Sequence, residues 1–94
     1  MALVYFNIDS QASTLTQVNV NGQFIVNEPG PCQIKNYEVE IIPDKIYSIS
    51  WLVIGNPGES YQIEIDRPAS AARIIVSTSI GNDGIDAGNI KFKI

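Results

Sequence analysis

The side chains best equipped for chemistry in this 94-residue chain are oxygen donors. The densest group is the run Gly81-Asn82-Asp83-Gly84-Ile85-Asp86-Ala87-Gly88-Asn89. Asp83 and Asp86 offer carboxylates and Asn82 and Asn89 offer side-chain amides. With the free carbonyls of a loop, these are hard ligands of the kind Ca²⁺ accepts. Their spacing differs from the Asp-x-[Asp/Asn]-x-[Asp/Asn]-Gly pattern of helix–loop–helix calcium sites. Asn and Gly also tolerate left-handed backbone, so a long hairpin loop without an ion is the plainer reading of residues 81–89. Ile85 fits neither reading. An apolar side chain in mid-loop either pins the loop to the body or reaches for a partner.

The second group is acidic. Glu38 and Glu40 alternate with apolar residues in one run, and Glu64 and Asp66 do so in another. If residues 36–42, 46–54 and 60–66 form a meander, the four acids share one side, with Ser48 and Ser50 between them. Such a stripe serves either as a solvated face or as a surface for a basic partner. Lys91 and Lys93, outward in the last predicted strand, would blunt a sheet edge or meet the acidic stripe of a neighbouring copy. Cys32 is the single cysteine, so no intrachain disulfide can form. Lys35 is the one basic residue near it and nothing argues for a lowered pKa, so it reads as a small buried or half-buried hydrophobe, with intermolecular pairing as the alternative.

Several chemistries are disfavoured. The chain has no histidine. Neither a Ser-His-Asp nor a Cys-His arrangement can be built, nor a His/Cys zinc site. No Gly-x-Gly-x-x-Gly joins a strand to a helix. A paired-carboxylate hydrolase is conceivable from ten acids, but so short a chain has little room for a deep cleft around them. The net charge is −4, with six scattered Lys and Arg. Nucleic acids and anionic membranes, which call for a basic face, are therefore not expected partners. Residues 1–10 carry neither a basic n-region nor a long apolar core, and no stretch reaches the length of a membrane-spanning helix. A cytoplasmic protein is the simplest expectation, and a secreted one whose signal has been removed is the alternative.

The elements that must position these groups read as strands. Isoleucine is abundant, with 16 in the chain, and β-branched side chains suit a pleated, half-buried surface. Short period-2 runs are separated by turn residues, the pattern of a sandwich or barrel. Strands are predicted at about 2–8, 14–20, 23–26, 36–42, 46–54, 60–66, 73–80 and 90–94. Asn21-Gly22 predicts a type I′ hairpin turn, and Asn56-Pro57-Gly58-Glu59 a type II turn with positive φ at Gly58. The segment from Arg67 to Ala72 reads as a connection with room for one helical turn. Tyr37, Tyr47, Tyr61 and Trp51 fall on the inward sets. Leu52 and Ile54 make the end of their strand apolar on both sides, which predicts cover on both faces there. No internal repeat is evident.

These features predict one all-β domain over residues 1–94. It is an antiparallel β-sandwich of about eight short strands, immunoglobulin-like or jelly-roll, with a small barrel as the alternative. The function expected is a non-enzymatic binding or assembly module acting through protein–protein contact, with a protein partner or a second copy as its target. The alternative is a calcium- or carbohydrate-binding sandwich using the 81–89 loop.

Overall fold

In a computed structural model, residues 2–67 and 72–93 are described. Eight strands follow in order: β1 (Ala2–Ser10), β2 (Leu15–Val20), β3 (Gln23–Glu28), β4 (Cys32–Ile41), β5 (Tyr47–Ile54), β6 (Ser60–Arg67), β7 (Ala72–Ser79) and β8 (Ile85–Phe92). They form two four-stranded antiparallel sheets packed face to face, with orders β4-β1-β6-β7 and β3-β2-β5-β8. The fold is a β-sandwich with open sheet edges, not a closed barrel. The predicted connection at 68–71 and the predicted strand end at Ile94 lie outside the described residues. No helix among the described residues is long and apolar enough to cross a membrane.

The connectivity is simple when the strands are taken in pairs. β1–β2, β3–β4, β5–β6 and β7–β8 are four long ribbons, each bent at a corner so that its halves lie in different sheets. Advancing each strand number by four turns the first sheet's order into β8-β5-β2-β3, the second sheet read backwards. The two halves of the chain are thus topologically equivalent, although no repeat shows in the sequence.

The corners, 11–14, 29–31, 55–59 and 80–84, gather at one end of the sandwich. The Asn21-Gly22 turn and the 42–46 connection lie at the other.

The inward rows behave as period 2 requires. Val4, Phe6 and Ile8 of β1, Val18 and Val20 of β2, Ile49, Trp51 and Val53 of β5 and Ile63 and Ile65 of β6 form one buried core. Each fully buried aliphatic side chain of this kind contributes about 1.5–3 kcal/mol. Two turns take the expected form. Asn21 and Gly22 both have positive φ, 51° and 85°, as a type I′ turn needs. Gly58 has φ 88°, and Glu59 N donates to Asn56 O at 3.2 Å to close the 56–59 turn.

Four expectations need correction. β4 begins at Cys32, four residues before the predicted start. A bulge separates the pairs Phe6–Tyr37 and Ile8–Ile34, with Asn36 at φ 55°. It switches the inward set from Tyr37, Val39 and Ile41 to Cys32 and Ile34, so the alternation is broken in sequence while the strand continues. The 36–42, 46–54 and 60–66 runs do not form a meander. β4 and β6 flank β1 in one sheet, and β5 lies in the other. The 81–89 segment is mostly strand: a turn over 81–84, closed by Gly84 N donating to Gly81 O at 3.0 Å, leads directly into β8. Lastly, no layer among the described residues covers Leu52 and Ile54, which stay half-buried on the outer face.

Candidate functional site

The two ends of the sandwich are finished differently, and the contrast locates the candidate site. At the corner end, polar groups are tied together. The Glu59 carboxylate accepts from Asn56 N at 2.6 Å, Ser13 N at 3.1 Å and Ser13 Oγ at 3.0 Å. The donation from Asn56 N, with the Ser13 bonds, pulls its pKa below the usual carboxylate value. The buried hydroxyls of Ser10 and Thr16 meet at 2.8 Å, and Thr16 Oγ1 reaches Gly30 O at 3.2 Å. In the core nearby, Trp51 Nε1 donates to Tyr61 Oη at 3.1 Å, and the Tyr61 hydroxyl donates to Asp86 Oδ2. Burial, then the bond to Asp86, pushes Tyr61 up to about 12. Cys32 lies half-buried by this end, its thiol pushed up by burial and then by the Glu28 charge. A thiol so placed is a poor nucleophile at neutral pH.

At the opposite end the sheets gape. A groove of about 370 Å³ lies between the edge strands β3 and β4. Its floor and walls are Val20, Asn21, Gln23, Ile25, Val39 and Tyr47, and its rim carries Tyr37, Glu38 and Glu40. Two local irregularities set it up. The β4 bulge at Asn36, whose N–H donates to Asn7 Oδ1 at 2.9 Å, precedes Tyr37. A second bulge, between the pairs Val18–Val26 and Asn19–Phe24, leaves Ile25 as the extra residue of β3. Tyr37, expected in the core, is 42% exposed here, because it sits on an edge strand where no further strand closes over it. Tyr47, Tyr61 and Trp51 are buried as expected. Tyr47 anchors the groove: its hydroxyl accepts Ile42 N at 2.9 Å and its ring stacks on Phe92 at 5.8 Å.

The four acids expected to share a side do so, but through different neighbours. Tyr5 of β1 stands between Glu38 and Asp66, and Asn7 stands beside Glu64. Ser48 and Ser50 belong to the other sheet. Arg73 approaches Glu64 and Asp66 at 3.9 Å each, a solvated pairing of small worth. Glu38 and Glu40 have no ion pair among the described residues and lie at the groove rim. Lys91 is on the edge strand β8 of the other sheet, and Lys93 follows that strand, its carbonyl accepting Arg67 Nη1 at 3.2 Å. Neither faces the acids within one molecule.

The oxygen donors of residues 81–89 are spread apart. Asn82 and Asp83 are in the turn, and Asp83 Oδ1 accepts Ile85 N at 3.3 Å. Asp86 is paired with Val53 on the inward row and is held by Tyr61. Asn89 is on the outward row, where its amide donates to Ser48 Oγ at 2.8 Å and Ser50 Oγ at 2.7 Å. Among the described residues no group of three or more Cys, Asp or Glu side chains converges as a metal site would.

The groove residues Tyr37, Ile25, Asn21 and Gln23 escaped the sequence reading. The one available signal was the break in alternation at Lys35-Asn36, which marks a bulge only once the partner strand is known. No protein-family model matches the chain, and no curated protein or solved structure matches it significantly.

Proposed function

We propose that this domain is a non-catalytic binding module that docks an extended, basic segment of a protein partner along β4. The observation that carries the proposal is the groove of about 370 Å³ at a sheet edge, with Tyr37, Glu38 and Glu40 on its rim and no Lys or Arg among its described lining. An edge strand offers free main-chain donors and acceptors to an added strand, and pockets beside it select side chains. Glu38 and Glu40 supply attraction and orientation for Lys or Arg, and the Tyr37 ring supplies apolar area and a face for a cation. Glu64 and Asp66 extend the negative field beyond Tyr5 across the same sheet. The lack of histidine favours binding over turnover.

The test is titration of the protein into a fluorescently labelled, Lys/Arg-rich extended peptide, read by anisotropy, with an acidic peptide of equal length as control. Saturable, salt-weakened binding of the basic peptide alone, lost in Glu38→Lys/Glu40→Lys, is expected. Equal binding of both peptides, or an unaffected double variant, overturns the reading. A calcium titration followed by thermal melting separates this from the calcium alternative, which requires a rise in melting temperature lost in Asp83→Asn.

A further inference from the structure

The outer face of the β3-β2-β5-β8 sheet carries an aliphatic patch on which no described residue packs as a further layer. Leu15, Ile54 and Ile85 lie side by side on β2, β5 and β8, and Leu52 and Ala87 stand next to them in the adjoining row. Ile85 is 50% exposed. The sequence made Ile85 look out of place in a loop; as the first residue of β8 it completes this row. The polar side chains next to the patch on the outward rows are neutral and already occupied: Gln17 Nε2 donates to Asn27 Oδ1 at 3.1 Å, and Asn89 bonds Ser48 and Ser50. Lys91 lies beyond Asn89 on the β8 row, and Asp83 in the preceding turn accepts Ile85 N at 3.3 Å. Removing water from such a face therefore strands few polar groups.

We infer that this face is a self-association surface, the occupant being a second copy of the chain packed sheet to sheet about a two-fold axis. Charge distribution selects that occupant. The chain carries −4, and Glu38, Glu40, Glu64 and Asp66 all lie on the outer face of the opposite sheet. Two copies meeting through this sheet, whose outward strand rows carry Lys91 and no carboxylate among the described residues, keep the acids on the outside, far apart, whereas a contact through the acidic sheet would set like charges against each other. A two-fold contact places the same patch on both sides, so Ile85 of each copy meets the aliphatic rows of the other. Strands about 4.8 Å apart, two of six residues (about 20 Å) and two of eight (about 26 Å), give a face on the order of 440 Å². A stable interface uses roughly 800 Å² per partner. The contact is therefore weak and reversible. This surface is separate from the β4 groove, so both can be occupied at once.

Sedimentation velocity across a micromolar-to-millimolar series tests the inference on wild type, Ile85→Lys, Ala87→Lys and the control Glu38→Lys. Far-UV circular dichroism and Trp51 emission verify the fold of each. Wild type and Glu38→Lys should rise from the mass of one chain toward two, undiminished by salt. Both lysine variants on the patch should remain at one. Ala87→Lys replaces an exposed alanine and keeps the test open if Ile85→Lys fails to fold. A one-chain mass for wild type throughout overturns the inference. So does dimerisation of folded patch variants, loss of the dimer in high salt, or growth beyond two chains, which is the mark of edge-to-edge strand pairing.

Discussion

The corner end and the groove end of the sandwich are made from the same strands, yet they are built for different tasks. At the corner end, loops are crosslinked through Glu59, Ser13, Thr16 and the backbone, and the Trp51–Tyr61–Asp86 chain satisfies buried polar atoms across both sheets. Among the described residues no buried side-chain nitrogen or oxygen lacks a partner. At the groove end, Tyr37, Ile42 and Ile46 are 42%, 54% and 62% exposed, and two bulges hold the edge strands out of ideal register. The difference teaches where a small domain can place a binding surface. One end must be closed and hydrogen-bonded if the other is to stay open, since the net stability of a small domain is only about 5–15 kcal/mol.

The largest effect that would sharpen this contrast is expected from Trp51→Ala. It empties the core beside Gly88 and frees the Tyr61 hydroxyl, at a cost of about 3–5 kcal/mol by urea or thermal unfolding. The corresponding truncation at the open end, Tyr37→Ala, should cost less than about 1 kcal/mol. Similar losses for the two would erase the distinction between the ends.

Gly88→Val comes next. A Cβ at Gly88 would overlap Trp51 at Cζ2, so the indole has to leave its place. A destabilisation of about 2–3 kcal/mol is expected, with a red shift of the Trp51 emission. Wild-type emission and stability in this variant would show that the ring is not seated over Gly88.

Tyr61→Phe removes the middle of the hydrogen-bond chain and leaves Trp51 Nε1 and Asp86 without their partner, a loss of about 1–3 kcal/mol. It also has a signature in pH. Tyr61 ionises near 10 when unfolded and near 12 when folded, so above pH 10 the unfolded chain binds fewer protons. Stability should then fall as pH rises from about 10 to about 12. Stability curves measured over that window should show the fall in wild type and a shallower one in Tyr61→Phe. Identical slopes would place the alkaline loss elsewhere.

The smallest effect is expected at the groove rim. Glu38→Lys/Glu40→Lys should change stability by no more than about 0.5 kcal/mol, since both acids are exposed and have no ion pair among the described residues. A marked rise in melting temperature would instead reveal that the acids repel one another strongly, and that the open end carries a stability cost.

Sequence alone settled what depends on local chemistry. Period-2 alternation placed β1, β2, β5 and β6 within a residue or two and put Trp51, Tyr47 and Tyr61 inside, because the side chains of a strand must face alternately. Asn21-Gly22 and Pro57-Gly58 fixed two turns, because few residues accept positive φ. Tertiary structure decided the rest. Whether Glu38 and Asp66 meet across Tyr5 or across serines depends on which strands are neighbours, and a corner only three to five residues long sends the chain into the other sheet without changing the pattern. The start of β4 was hidden because a bulge reverses the inward set, and that reversal has meaning only beside the regular partner β1. The start of β8 was hidden because Asp86 and Gly88 on its inward row are loop-like residues. They are needed there only because the Tyr61 hydroxyl and the Trp51 ring arrive from other strands.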